Sequence, residues 1–98
     1  MEEKANTLEI KAFIRRYSYL FWYTPEDKKE DISINFLVET ILNYGDEKSI
    51  KKLFELIGIN KVAEIFYEQT SRQRINYHKR TVNFFDLYFK RHAQGNFN

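Results

Sequence analysis

The sequence predicts an all-α protein that forms one compact bundle of about five helices. Its 98 residues suffice for a single domain, and apolar side chains recur along most of them at the spacing of amphipathic helices. Aromatic residues make up 17% of the chain and cysteine is absent, which excludes a disordered chain and a disulfide scaffold. A domain of this length buries only about 60–65% of its unfolded surface, so the rings must supply much of the core.

The first helix is expected over residues 7–22. Asn6 followed by Glu9 fits a capping arrangement, in which the amide accepts from a backbone N–H and the carboxylate reaches back. A short strand over residues 17–23 is the minority alternative, because these residues are rich in β-formers. The helical stripe that favours the first interpretation consists of Ile10, Phe13, Ile14, Tyr17, Leu20 and Phe21.

A single helical turn within a loop and then a second helix are expected next. Pro25 suits the first helical position of that turn, and acids follow it where a helix dipole favours negative charge. The second helix is expected over residues 32–44, with Gly45 as a left-handed residue that ends it. Its stripe consists of Ile34, Leu37, Val38, Ile41 and Leu42.

Two further helices follow in close succession. Asp46 is expected to cap the third helix and Gly58 to end it. Asn60 is expected to cap the fourth helix, which should run to about Gln69. Residues 70–77 show no clear period and predict a polar loop.

The last helix is expected over residues 78–92 and should occupy the centre of the core. Its aromatic-rich stripe is so wide that burial on most of its circumference is expected. The two ends, residues 1–6 and 93–98, are expected to fray. The stripe consists of Val82, Phe84, Phe85, Leu87, Tyr88 and Phe89. No signal peptide or membrane-spanning run is apparent, so a cytoplasmic location is expected.

Motifs for catalysis and nucleotide binding are missing from the sequence. It contains no HExxH, GxSxG or phosphate-binding glycine-rich loop. His78 and His92 would lie about 21 Å apart along one helix, too far to share a metal ion. Adjacent carboxylates such as Glu26 and Asp27 are explained by the helix dipole. We therefore expect no enzyme activity, no metal ion and no cofactor.

The charge distribution is more informative than the net charge of +2. Residues 1–68 carry a balance of −3 and residues 69–98 a balance of +5. Lys90 and Arg91 would complement the dipole at the end of the last helix, but the group before that helix would oppose the dipole at its start. That group consists of Arg72, Arg74, Lys79 and Arg80. Binding to phosphate or an acidic partner and salt bridges within a solvated loop explain the group about equally well.

A helix-turn-helix is disfavoured, although a tight turn at Gly58 joins the third and fourth helices. Phe54 is bulky where close helix approach would require a small residue. Glu64 and Glu68 would face phosphate on the recognition helix. An ordinary helical hairpin is therefore expected.

Several aromatic residues lie off the core stripes and could anchor a partner. Trp22 is expected to pack in the core, whereas Tyr19, Tyr23 and Tyr77 suit either role. Tyr67 and Tyr77 flank the basic loop. The predicted partner or nucleic-acid site consists of Arg72, Arg74, Tyr77, Lys79 and Arg80.

Five short segments form a series between about residues 20 and 89. They are Leu20-Phe21-Trp22, Ile41-Leu42-Asn43-Tyr44-Gly45, Leu53-Phe54-Glu55-Leu56-Ile57-Gly58, Ser71-Arg72 and Arg80-Thr81-Val82-Asn83-Phe84-Phe85. In this series the chain resembles a family of small uncharacterised bacterial proteins, often encoded beside nucleotidyltransferase-like toxins of the abortive-infection type. It departs from that family in the lysine-rich loop at 23–31 and in the polar residues Asn76 to Lys79.

The resemblance implies an antitoxin-like or regulator-like role without catalysis, with the toxin as the protein partner. The residues it carries over are Ser71, Arg72, Arg80 and Thr81. The expected function is therefore non-enzymatic binding of a macromolecule, and the alternative is a DNA- or RNA-binding regulator. A small hydrolase or transferase would require a deep polar pocket with His78 and a buried carboxylate. The sequence leaves the oligomeric state open, including a homo-oligomer.

Overall fold

The computed structural model describes residues 6–73 and 75–93, and all regular structure in these ranges is helical. The five α-helices are α1 (Leu8–Arg16), α2 (Ile34–Tyr44), α3 (Glu47–Ile57), α4 (Ile59–Thr70) and α5 (Lys79–His92). Two short 3-10 helices, Ser18–Phe21 and Glu26–Asp31, lie between α1 and α2. The all-α prediction is confirmed, and the strand alternative for residues 17–23 is wrong. Within the described ranges, every helix is too short or too polar to cross a membrane.

One hydrophobic core joins all five α-helices, and α2 and α4 supply half of its buried side chains. From α2 these are Leu37, Val38, Ile41 and Leu42, and from α4 they are Val62, Ala63, Ile65 and Phe66. Each set repeats at three- and four-residue spacing, which places it on one face of its helix. The periodicity in the sequence therefore identified the correct faces of both helices.

The first helix is shorter than expected and begins with a different cap. Thr7, not Asn6, is the N-cap, and its hydroxyl accepts from the Ile10 N–H at 3.1 Å. The Asn6 amide donates instead to the carbonyl oxygens of Glu30 and Ile32 at 2.8 and 3.1 Å. Asn6 is thus held in place by the second 3-10 helix and does not fray. The N-terminal residues 1–5 and the C-terminal residues 94–98 lie outside the described residues.

The lysine-rich turn is attached to the rest of the fold by buried and bridging charges. Lys29 is buried, and its ammonium donates to the Ser18 carbonyl at 3.0 Å and to Glu26 Oε2 at 3.1 Å. Arg15 of α1 pairs with Glu30 at 2.8 Å and with Glu26 at 3.3 Å. The turn expected from the sequence exists, but it packs against α1 and the first 3-10 helix.

Helix ends follow the expected residues in some places and not in others. Asp46 caps α3, and its carboxylate accepts from the Ser49 N–H at 2.8 Å. Gly58 ends α3 with a positive φ of +96°, as expected, but its ψ of 133° lies outside the left-handed helical region. Asn60 does not cap α4, because Gly58 directly precedes its first residue, Ile59. Pro25 precedes the second 3-10 helix and is not its first residue.

Gly45 is required for space and not for its backbone conformation. Its φ of −76° is open to any residue, so the expected left-handed geometry is wrong. A Cβ at this position would lie 2.7 Å from the Ile41 carbonyl oxygen and in collision with Ser49 Oγ. The close approach of α2 and α3 therefore excludes a side chain here.

The last helix packs by one face, and the expectation of burial on most of its circumference is wrong. Phe85 and Phe89 are buried, and the Phe89 ring lies 5.3 Å from Phe66 and 5.9 Å from Phe54. Phe84 and Leu87 remain 58% and 67% exposed. The apolar residues of α5 thus divide between a buried face and an exposed face.

Candidate functional site

The side-chain amide of Asn43 attaches the segment before α5 to α2 at two points. Asn43 Nδ2 donates to the Asn76 carbonyl, and Asn43 Oδ1 accepts from the His78 backbone N–H, each at 3.1 Å. His78 is the N-cap residue of α5, but its side chain makes no capping hydrogen bond. Asn43 therefore fixes the start of α5, and with it the direction in which Lys79 and Arg80 leave the molecule.

Tyr77 is part of the core, which corrects its expected role as a contact for a partner. It is only 8% exposed, and its ring packs edge-on against Phe66 at 5.2 Å. Its hydroxyl donates to Gln69 Oε1 at 2.5 Å. Burial raises the pKa of Tyr77, with a smaller contribution from the charge of Glu39. Tyr77 therefore holds the segment before α5 against α4.

The predicted basic group divides into one paired and two unpaired side chains. Arg72 forms an ion pair with Glu68 at 3.6 Å, as the salt-bridge alternative predicted. Lys79 and Arg80 are exposed, and neither has an ion pair with a carboxylate of the described residues. Arg74 lies outside the part of the chain that the structure describes. The basic site is therefore centred on Lys79 and Arg80.

One face of α5 combines exposed apolar and cationic side chains. Residues at i, i+4, i+7 and i+11 lie on one side of a helix. Here they are Arg80, Phe84, Leu87 and Arg91, which we name the α5 outer face. All four are exposed. Phe84 also stacks on the neighbouring Tyr88, with ring centroids 6.0 Å apart.

The charge of α5 is positive at both ends. Asp86 is the one acid in the helix, and it accepts from the Tyr67 hydroxyl at 2.8 Å and from Lys90 at 3.3 Å. Burial raises the pKa of Tyr67, and the hydrogen bond to Asp86 raises it further. Since this acid is engaged on the side of α4, it does not neutralise Arg80 or Arg91.

The exposed tryptophan corrects a second expectation. Trp22 is expected in the core, but it is 68% exposed. The reason is that the chain tightens into a 3-10 helix after Tyr17, which directs Phe21 into the core and leaves Trp22 outside it. Tyr19 and Tyr23 are also exposed. The sequence did contain a signal for this exposure, because these rings lie off the helical stripe. The general tendency of tryptophan to be buried outweighed that signal in the prediction.

Histidines and acids form no recognisable catalytic or metal centre in the described ranges. His78 is exposed and its Nε2 lies 3.4 Å from the Tyr44 hydroxyl. No group of three or more potential ligands could hold a metal ion among the residues described. A cleft of about 610 Å³ between α1 and α3 and one of about 250 Å³ beside α2 are both lined without His78. Comparison of the chain with protein-family models, curated proteins and solved structures gives no match.

Proposed function

We propose that this chain is a non-enzymatic binding protein whose α5 outer face engages a protein with an acidic, partly apolar surface. The observation that supports this function is the exposure of Phe84 and Leu87 between Arg80 and Arg91. An apolar centre with a charged rim is the usual arrangement of a protein interface. Arginine and aromatic residues are also the types most often found at interface hot spots.

The exposed apolar side chains of this face favour a protein over a nucleic acid as its ligand. Burial of an exposed Phe or Leu side chain contributes about 1.5–3 kcal/mol, and a phosphate backbone offers no surface that would bury Leu87. The two arginines then select acidic partners and increase the association rate through long-range attraction. The complementary surface is therefore an apolar strip flanked by Asp or Glu.

The partner we propose is a nucleotidyltransferase-like toxin encoded beside this chain, which would make the chain an antitoxin or regulatory subunit. This part of the proposal is supported by the family resemblance of the segments around Ser71-Arg72 and Arg80-Thr81. A cytoplasmic location is part of the same proposal, and the lack of cysteine is compatible with it.

The test is co-expression with the neighbouring gene product, followed by size-exclusion chromatography and titration calorimetry of the purified proteins. Truncation of hot-spot side chains typically costs 2 kcal/mol or more. We therefore expect the double variant Phe84→Ala, Leu87→Ala to bind at least about 30-fold more weakly. The matched control is Leu8→Ala on α1, because Leu8 is also highly exposed.

Two results would contradict this proposal. One is the absence of a complex with the wild-type chain at micromolar concentrations. The other is a complex whose affinity the double variant and Leu8→Ala change equally. Circular dichroism of each variant ensures that a loss of binding is not a loss of fold.

Lys79 and Arg80 support nucleic-acid binding as a second candidate function, because no described carboxylate pairs with either. Four phosphate contacts by the predicted group would give a log–log salt slope of about −3.6. With Arg72 engaged by Glu68, three contacts and a slope of about −2.7 are expected. Salt-independent binding, or binding unchanged by Lys79→Ala with Arg80→Ala, would reject this candidate.

A further inference from the structure

A small aromatic cleft lies between the first 3-10 helix and α2, and the proposed function does not use it. Its volume is about 250 Å³. Trp22 and Tyr23 form one wall, Glu39 and Tyr44 belong to α2, and Asn76 reaches it from the segment before α5. Three separate parts of the chain thus converge on the same space.

Three rings of this cleft are unusually exposed for their size. Trp22 is 68% and Tyr23 82% exposed, and their ring centroids lie 3.9 Å apart with a tilt of 31° between the planes. Tyr44 is 58% exposed on the α2 side. Exposed aromatic faces attract cations, and tryptophan is the strongest of them. The wall formed by Trp22 and Tyr23 therefore suits a flat or cationic ligand.

Among the described residues, Glu39 is the one formally charged side chain in the lining of the cleft. It is half-buried, and burial raises the pKa of its carboxyl group, although the Asn76 side chain and the charge of Arg72 partly oppose that shift. Arg72 is itself paired with Glu68, and the Asn43 amide is engaged by Asn76 and His78. A partly desolvated carboxylate gains from a cation that enters the cleft.

We propose that this cleft binds the guanidinium group of an arginine side chain carried by a polypeptide partner, with an outer face of the Trp22–Tyr23 ring pair against its flat face and Glu39 accepting its hydrogen bonds. A guanidinium is planar, stacks on aromatic rings and binds a carboxylate through two parallel N–H groups. Lysine offers only a point charge. The extensive exposure of Trp22 and Tyr23 leaves ring surface for the residues that flank the arginine.

The size and charge of the cleft argue against other ligands. Sites for drug-sized molecules and cofactors usually have about 300–1,000 Å³, so a volume of about 250 Å³ suits one side chain better than a nucleotide. A phosphate group would meet Glu39 and no cation among the lining residues that the structure describes. The site is separate from the α5 outer face, so its test does not depend on the proposed function.

Trp22 allows a direct experiment because it is the only tryptophan in the chain. Its fluorescence is followed while a short neutral peptide with one central arginine is added at constant ionic strength. The reference ligand is the same peptide with citrulline, which keeps the shape of arginine and removes its charge. We expect a saturable change with the arginine peptide and at least about fivefold weaker binding of the citrulline peptide.

Variants then assign the binding to the proposed residues. Glu39→Gln should weaken arginine binding by about tenfold and reduce the preference over citrulline, since it removes the charge but keeps the size. Glu55→Gln on α3 is the matched control, because Glu55 is an exposed acid outside the lining. Phe84→Ala with Leu87→Ala should leave this binding unchanged.

The proposal would be overturned if the arginine and citrulline peptides bound equally well. It would also be overturned if the Glu39→Gln variant bound the arginine peptide as tightly as the Glu55→Gln variant does. If free agmatine bound as tightly as the arginine peptide, the ligand of the cleft would be a small guanidinium compound and not a polypeptide. If adenosine or guanosine bound more tightly than the peptide, the ligand would be a nucleobase.

Discussion

The Tyr77 hydroxyl donates to Oε1 of Gln69, and this bond connects the segment before α5 to α4. The Nε2 atom of the same Gln69 side chain donates to the Asn35 carbonyl at 3.0 Å, at the start of α2. Tyr77 and Gln69 are both buried. One side-chain amide thus links three parts of the chain that are distant in sequence.

Tyr77→Phe should therefore destabilise the fold without opening a cavity. The change leaves Gln69 Oε1 buried without its donor, which costs about 1–3 kcal/mol. Urea unfolding followed by circular dichroism measures this loss. Tyr23→Phe is the matched control, because Tyr23 is largely exposed and should change stability by less than about 0.5 kcal/mol. Equal effects of the two substitutions would contradict the assignment.

Lys29→Met should destabilise the region between α1 and α2. Methionine keeps much of the length of the buried stem, but it removes the donor to the Ser18 carbonyl and to Glu26. A partly buried acceptor without its donor costs about 1–3 kcal/mol. Hydrogen exchange should show faster exchange in Ser18–Phe21 and Glu26–Asp31. Lys28→Met, at an exposed neighbouring position, should have little effect, and similar exchange in both variants would refute the prediction.

Gly45 and Gly58 are glycines for different reasons, and alanine should destabilise the fold at both positions. Alanine at Gly45 would collide with Ile41 and Ser49, at a cost of about 1–3 kcal/mol. Alanine at Gly58 meets no neighbour but must adopt a φ of +96° with a ψ of 133°, at about 1–3 kcal/mol. Asparagine should give no relief at Gly58, because it tolerates the left-handed helical region and this ψ lies outside it. Thermal unfolding of Gly45→Ala, Gly58→Ala and Gly58→Asn measures these losses, and a Gly58→Asn variant as stable as the wild-type chain would contradict the assignment.

The fold should become less stable in acid, because the capping carboxylate of Asp46 is then protonated. The Ser49 backbone N–H donates to its carboxylate and holds the pKa below its ordinary value of 3.8. A lowered pKa means that this stability is present above the pKa of the unfolded chain and is lost as the pH falls through the folded pKa. Asp46→Asn keeps a capping oxygen without a titrating group.

Urea midpoints at pH 7 and pH 3 measure this dependence. The fall in stability between the two values should be smaller in Asp46→Asn than in the wild-type chain. Asp27→Asn, at an exposed position outside the α3 cap, controls for the general loss of one carboxylate. An unchanged fall in Asp46→Asn would show that the cap does not contribute.

The helices were predictable because each carries a periodic apolar stripe, although only some of their ends carry a recognisable signal. Asp46 and Gly58 identify the two ends of α3 correctly. The errors lie where a tertiary contact overrode a local signal. Asn6 resembled a cap, but its amide makes tertiary hydrogen bonds to Glu30 and Ile32, and no short-range pattern encodes contacts across more than twenty residues.

The candidate site was predictable only in part. Lys79 and Arg80 were found because cations at a helix start oppose its dipole. The burial of Tyr77 depends on Gln69, and the exposure of Trp22 depends on the change to a 3-10 helix after Tyr17. Both are results of tertiary packing. Glu39 gave no signal, because its setting arises only when the segment around Asn76 lies against α2.

The start of α5 depends on a residue that belongs to a different helix. His78 provides no side-chain cap, and Asn43 binds the backbone at this point instead. Helices of this length are marginal alone in water, so a synthetic peptide of the last quarter of the chain should be largely unstructured. During synthesis the nascent C-terminal segment would gain its helical form only by docking on helices already made, and its cationic groups would be ordered last.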